Sequence, residues 1–303
     1  MSANRSRRVG LAIAIGTCVL LTLGAAQAAA KHYSAWSTAA SIETLPESSS
    51  EVNTAFVDGC PIQSPDGLSL YMASTRSPGG LGGIDLWVAH RPSTAVGFGT
   101  PVNLGPAINS GADDFCPTPV RGDGLFFVST RDGNADIYFS RNNPTHGWSA
   151  PVRLPDAVNS ALPEFSPSYF EADGRAFLYF SRGPDIYSAE LQADGNWGSV
   201  GPVAGLQHAA ADFRPNVRKD GLEIVFDSNR GTAGDQDLYF ATRASVDAAW
   251  STPVNAGPAI NSPANETRGS FSWHAETLLF GRAPAPEGMT DIYISTRTKV
   301  PGG

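Results

Sequence analysis

Apolar residues in this chain fall in short runs, each bounded by turn residues, and none repeats at helical spacing. Leu125-Phe-Phe-Val128, Ile137-Tyr-Phe139 and Phe177-Leu-Tyr-Phe180 are typical. They are rich in aromatic and branched residues, and Asp-Gly, Gly-Gly and Asn-Pro sequences separate them. This pattern predicts short strands joined by tight turns.

The runs belong to a repeat in three parts. The first is an acid followed three residues later by proline and then by Asp-Gly, as in Asp58-Gly-Cys-Pro61 with Asp66-Gly67. Asp114-Phe-Cys-Pro117, Glu164-Phe-Ser-Pro167 and Asp212-Phe-Arg-Pro215 repeat it, and Glu266-Thr-Arg-Gly269 is a degenerate fifth copy with His274-Ala275 in place of Asp-Gly. The second part is an apolar run ending at Arg76, Arg131, Arg182, Arg230 or Arg282, then a turn and an aspartate (85, 136, 185, 237, 291) opening a further run. The third is an aromatic residue, then Pro-Val-Asn-Leu-Gly and Ile-Asn-Ser, complete at residues 98–110. From Asp58 to Asp114 is 56 positions, and the later acids follow at 50, 48 and 54.

A period near fifty with four strands per copy predicts an all-β fold, a five-bladed β-propeller of four-stranded blades. The last copy lacks its third part, whereas Ala35-Trp36-Ser37 to Ile42 precedes the first copy. The N-terminal strand is therefore expected to complete the last blade and close the ring.

Residues 1–30 carry Arg5, Arg7 and Arg8 ahead of an apolar run and end in small residues, the pattern of a signal peptide. Residues 31–303 are then one propeller domain, expected to be periplasmic or secreted, monomeric and without a transmembrane segment. Removing three arginines from the 21 basic residues leaves 18 against 29 acids, a net charge of −11 that disfavours nucleic acid. Two cysteines remain, Cys60 and Cys116. They stand at equivalent places in adjacent copies and are either bridged or free thiols.

Ser64-Pro-Asp-Gly67, Ser74-Thr-Arg76, Gly82-Gly-Ile-Asp85-Leu-Trp87 and Pro101-Val-Asn-Leu-Gly105 resemble the WD40-like propeller repeats of TolB and of OmpA-associated cell-envelope proteins. The resemblance spans residues 33–297 and implies the same fold. For function it implies envelope scaffolds and binding modules.

Strand order places the acids Asp58, Asp114, Glu164, Asp212 and Glu266 at one mouth of the central channel, where each repeat also brings one arginine near two carboxylates. Such sets read as ion pairs stapling strand ends. They also read as a negative mouth for a polyhydroxylated ligand or a channel cation such as calcium; no metal ligand set or cofactor is otherwise expected. Departures from the repeat are sharper pointers. Two residues after the ring acid stand Cys60, Cys116, Ser166, Arg214 and Arg268, so thiols face guanidinium groups across the channel. Arg214 and Arg268 either hold an anionic or sugar-like ligand or neutralise the acid ring. Trp273 and His274 replace the turn of the fifth copy. No nucleophile elbow, zinc-protease pair, P-loop or dinucleotide motif occurs.

The reading this favours is a non-catalytic envelope protein that binds a partner protein or a glycan at the channel mouth. The alternative is a secreted carbohydrate-active enzyme, a glycoside hydrolase or lyase, using the channel-mouth carboxylates.

Overall fold

The computed structural model describes residues 32–231, 236–286 and 288–300; the predicted signal peptide lies outside them. The alternating runs form five blades of antiparallel strands around a central channel. Blade one is built from Asp58–Gln63, Ser69–Ser74, Asp85–His90 and Val102–Asn103. The innermost strands of the other blades are Asp114–Val120, Glu164–Ala172, Asp212–Val217 and Asn265–Phe271. The outer strand of blade five is Ala40–Ser41, which pairs with Asp291–Thr296. The N-terminal segment thus closes the ring as the repeat predicts, and His32–Tyr33 adds a clasp to Lys299–Val300. The only helix among the described residues is the single 3-10 turn Ile42–Thr44, so none is long and apolar enough to cross a membrane.

Each second strand buries most of its apolar run. Phe127, Phe180, Phe226 and Phe280 are wholly enclosed. Each lies opposite the tyrosine of the next strand (138, 187, 239, 293), with ring centroids 6.0–6.2 Å apart. Burying one such ring contributes roughly 1.5–3 kcal/mol.

The repeat arginine covers this aromatic pair and turns its charged end to the ring acid. Arg76–Asp58, Arg131–Asp114, Arg182–Glu164 and Arg282–Glu266 meet at 2.5–2.7 Å, and Arg230 meets Asp212 in the same way. Every acid in the set is almost fully enclosed. Nη2 of the same guanidinium also donates to a carbonyl of the incoming crossover: Val52, Ile108, Val158, Leu206 or Ile260. In four blades a crossover hydroxyl, from Thr54, Ser110, Ser160 or Ser262, also donates to the acid; Ser110 Oγ reaches Asp114 Oδ2 at 2.8 Å. Asparagine in the same crossover replaces a missing strand partner: Asn109 Oδ1 accepts from the Leu86 amide and its Nδ2 donates to the Leu86 carbonyl.

One expectation is corrected here. In three blades the aspartate opening the third strand serves the outer strand instead of the repeat arginine: Asp136 pairs with Arg153 at 2.5 Å, and Asp85 and Asp237 accept from Asn103 and Asn255. The two carboxylates of these blades therefore serve opposite edges of the sheet.

Since each ring acid is buried, removing its arginine strands a charge. Arg131→Ala is expected to lose about 3–5 kcal/mol of unfolding free energy, measured by urea denaturation; a loss below 1 kcal/mol would contradict the pairing's structural role.

Candidate functional site

Every innermost strand carries a bulge two residues after the ring acid, and the residue there has positive φ: Cys60 48°, Cys116 49°, Ser166 51°, Arg214 53° and Arg268 59°. Left-handed backbone at a non-glycine residue costs about 1–3 kcal/mol, and here it aims all five side chains at the axis, where they line a waist of about 30 Å³. That space holds about one water. Cys60 and Cys116 are joined across it in a disulfide, Cα atoms 4.9 Å apart, with Ser166 Oγ donating to the Cys116 sulfur.

Above the waist, on the ring-acid side, the channel widens into a funnel of about 430 Å³. Phe115, Phe165 and Phe213, each next to a ring acid, wall three blades; Phe115 and Phe165 lie 6.1 Å apart. Blades one and five place Gly59 and Thr267 at this position. Gly59 is what makes room for Arg268, since a Cβ there would meet the guanidinium at 3.2 Å.

Two carboxylates outside the repeat complete the funnel region. Asp113 lines the wall; its Oδ1 accepts from the Ile84 amide at 3.0 Å, and among the described residues its Oδ2 makes no hydrogen bond. Asp227 is fully buried in the second strand of blade four, where the other blades have alanine, valine, serine and glycine. Its Oδ2 accepts from Arg214 Nη1 at 2.5 Å, and its Oδ1 from the Arg268 backbone amide at 2.9 Å. Burial raises the Asp227 carboxyl above its ordinary range, with Arg214 opposing the effect. Burial, and then the neighbouring Arg214, lower Arg268 to about 9.

The ring acids Asp58, Asp114, Glu164, Asp212 and Glu266 sit at the predicted mouth, but each is committed to its own arginine rather than open to a ligand. Among the described residues no three acids, cysteines or histidines gather around a common point that could hold a metal ion. Trp273 and His274 lie at the opposite end of the channel from Arg214 and Arg268. Lys219 Nζ stands 3.3 Å from the Trp273 ring centroid and Arg121 4.4 Å from it, while His274 is exposed. The sequence reading missed Phe115, Phe165, Phe213, Asp113 and Asp227. Their signals were present as a phenylalanine inside three copies of the acid motif, the doubled acid Asp113-Asp114, and a charge interrupting the apolar run of blade four.

No family model matches the chain, and no curated protein is similar to it. Solved structures share its fold. A thermostable family-43 glycoside hydrolase is 12% identical over 84% of this chain and 93% of its own, with a TM-score of 0.57. The catalytic domain of a Coprinopsis cinerea GH62 α-L-arabinofuranosidase is 14% identical over 87% and 97%, at 0.55. An endo-1,4-β-xylanase from Bacteroides thetaiotaomicron is 13% identical over 81% and 96%, at 0.56. Further glycoside hydrolases accompany these. These structures are glycoside hydrolases and not scaffolds, which corrects the expectation of a non-catalytic envelope scaffold.

Two outcomes follow from the geometry. Reducing the disulfide, which closes a loop of 56 residues, is expected to cost about 4 kcal/mol of stability, read as a lower urea midpoint in dithiothreitol; an unchanged midpoint in a Cys60→Ser/Cys116→Ser variant would contradict it. The raised Asp227 carboxyl binds its proton at higher pH in the folded than in the unfolded chain. Its ionised form therefore costs stability at neutral pH, and that cost disappears as pH falls through the raised value towards 3.8. Relative to Asp227→Asn, the wild type should gain stability over that acid window; parallel pH profiles would refute the assignment.

Proposed function

We propose that this chain is an exported carbohydrate-active enzyme, a glycoside hydrolase or lyase, that seats a sugar in the funnel at the ring-acid mouth. The observation that carries the reading is Asp113, a carboxylate with one uncommitted oxygen on the wall of a 430 Å³ cavity faced by three phenylalanine rings. Apolar ring faces pack against the C–H faces of a sugar, and a few polar groups fix its orientation. A carboxylate in that setting can hold a hydroxyl or move a proton, the work such enzymes assign to acids. The glycoside hydrolases that share the fold support the same reading.

This places the chemistry on a residue outside the repeat, where the ring acids offer no free oxygen. The likeness of the blade motif to WD40-like, TolB-type repeats concerns the propeller that carries the site and is compatible with this function.

Incubating residues 31–303 with a panel of plant and bacterial polysaccharides, and following new reducing ends and unsaturated products, tests the proposal. Turnover is expected on at least one glycan, falling at least about a hundredfold in Asp113→Asn with no change in melting temperature. Absence of turnover on every glycan, or full activity in the variant, would overturn it.

A further inference from the structure

The funnel floor carries more positive charge than the fold uses. Each ring acid already has its own arginine, so Arg214 and Arg268 do not neutralise the ring. These two cations share one buried carboxylate, Asp227, and the oxygens of Asp227 are taken by Arg214 Nη1 and by the backbone amide of Arg268. Arg214 Nη1 also donates to Gln236 Oε1 at 3.0 Å. The guanidinium of Arg268, by contrast, makes no hydrogen bond among the described residues, and its Nε is enclosed without a partner. Leaving a charged donor buried and unpaired is among the more expensive features a fold can keep. The space it occupies exists because blade one has Gly59 where three other blades have phenylalanine.

We propose that this floor is a seat for an anionic substituent of a glycan, a carboxylate or sulfate group held between the guanidinium groups of Arg268 and Arg214. The inference rests on the funnel being the sugar site and narrows the sugar to an acidic one. A planar fork of N–H donors matches such oxyanions, and bonds of this kind are about twice as strong as neutral ones. The funnel is then polarised across its width. The two arginines on blades four and five face the anion, Asp113 between blades one and two accepts from hydroxyl groups, and the phenylalanine rings take the sugar face. Burial and the neighbouring Arg214 lower the affinity of Arg268 for its proton, and an anion seated beside it would oppose both.

Calorimetric titration of the mature chain with oligogalacturonate, its methyl ester, a sulfated galactan oligosaccharide, xylo-oligosaccharide and inorganic sulfate tests this. Acidic oligosaccharides should bind more tightly than the methyl ester or the xylo-oligosaccharide, with affinity falling as salt rises. Arg268→Gln should weaken acidic ligands about ten- to hundredfold and leave neutral ones unchanged. Asp227→Asn, which removes the competing charge, should tighten the same acidic ligands; a purely structural role for Arg268 would move neither. Carboxylated against sulfated oligosaccharide tells which anion is preferred. If the methyl ester and xylo-oligosaccharide bind as well as the acid, the anionic seat is wrong while the sugar funnel stands. If sulfate binds in an Arg268-dependent way and no saccharide does, the seat stands and the sugar reading falls. Binding of none of them overturns both.

Discussion

The propeller hangs on one contact made five times: a buried carboxylate at the start of the innermost strand, bridged to the arginine that ends the strand beside it. The arginine lies over the aromatic core of its blade, takes a carbonyl from the chain arriving from the previous blade, and neutralises the acid. Core, strand end and crossover thus meet at one guanidinium group. Such a group cannot be traded for a lysine, because only a planar fork reaches all three in fixed directions. The desolvation of acid and base is offset only when both are present, so the contact specifies geometry more than it adds net stability.

This dependence explains why the architecture was legible in the sequence. A contact needed once per blade stamps its residues at a fixed period, and the absent third part of the last copy points to the segment from Ala35 to Ile42, within which Ala40–Ser41 is the closing strand. What periodicity cannot convey is which oxygen a donor reaches. Asp136 and Asp237 looked like second partners of the repeat arginines, yet the pleat turns them to the outer strand, towards Arg153 and Asn255. The bulge likewise hides Asp227. A charge inside the apolar run of blade four reads as an interruption until the Arg268 amide, at the bulge of blade five, is seen to donate to its Oδ1.

The candidate site is built from the converse of the repeat. Where the five copies agree, charges cancel in place; where they differ, they accumulate on opposite sides of the funnel, Asp113 on one and the Arg214–Asp227–Arg268 group on the other. A scaffold is what the repeat-conforming acids suggest, since all are spent on holding the blades. The proposed enzyme function depends instead on Asp113, which the fold holds by one oxygen and leaves uncommitted at the other.

The left-handed residue in each innermost strand gives this arrangement an unusual freedom. Cysteine, serine and arginine all occupy that conformation in one molecule, so the backbone there accepts side chains of very different size and charge. The side chain points into the channel while the blade cores lie behind it. The waist therefore behaves as an iris of five leaves, each replaceable without recutting the blade that carries it. Two leaves are soldered by sulfur, which stiffens one half of the aperture. The half left unsoldered holds the charge, so a change of leaf there alters what the aperture admits while the five acid–arginine contacts that hold the blades stay in place.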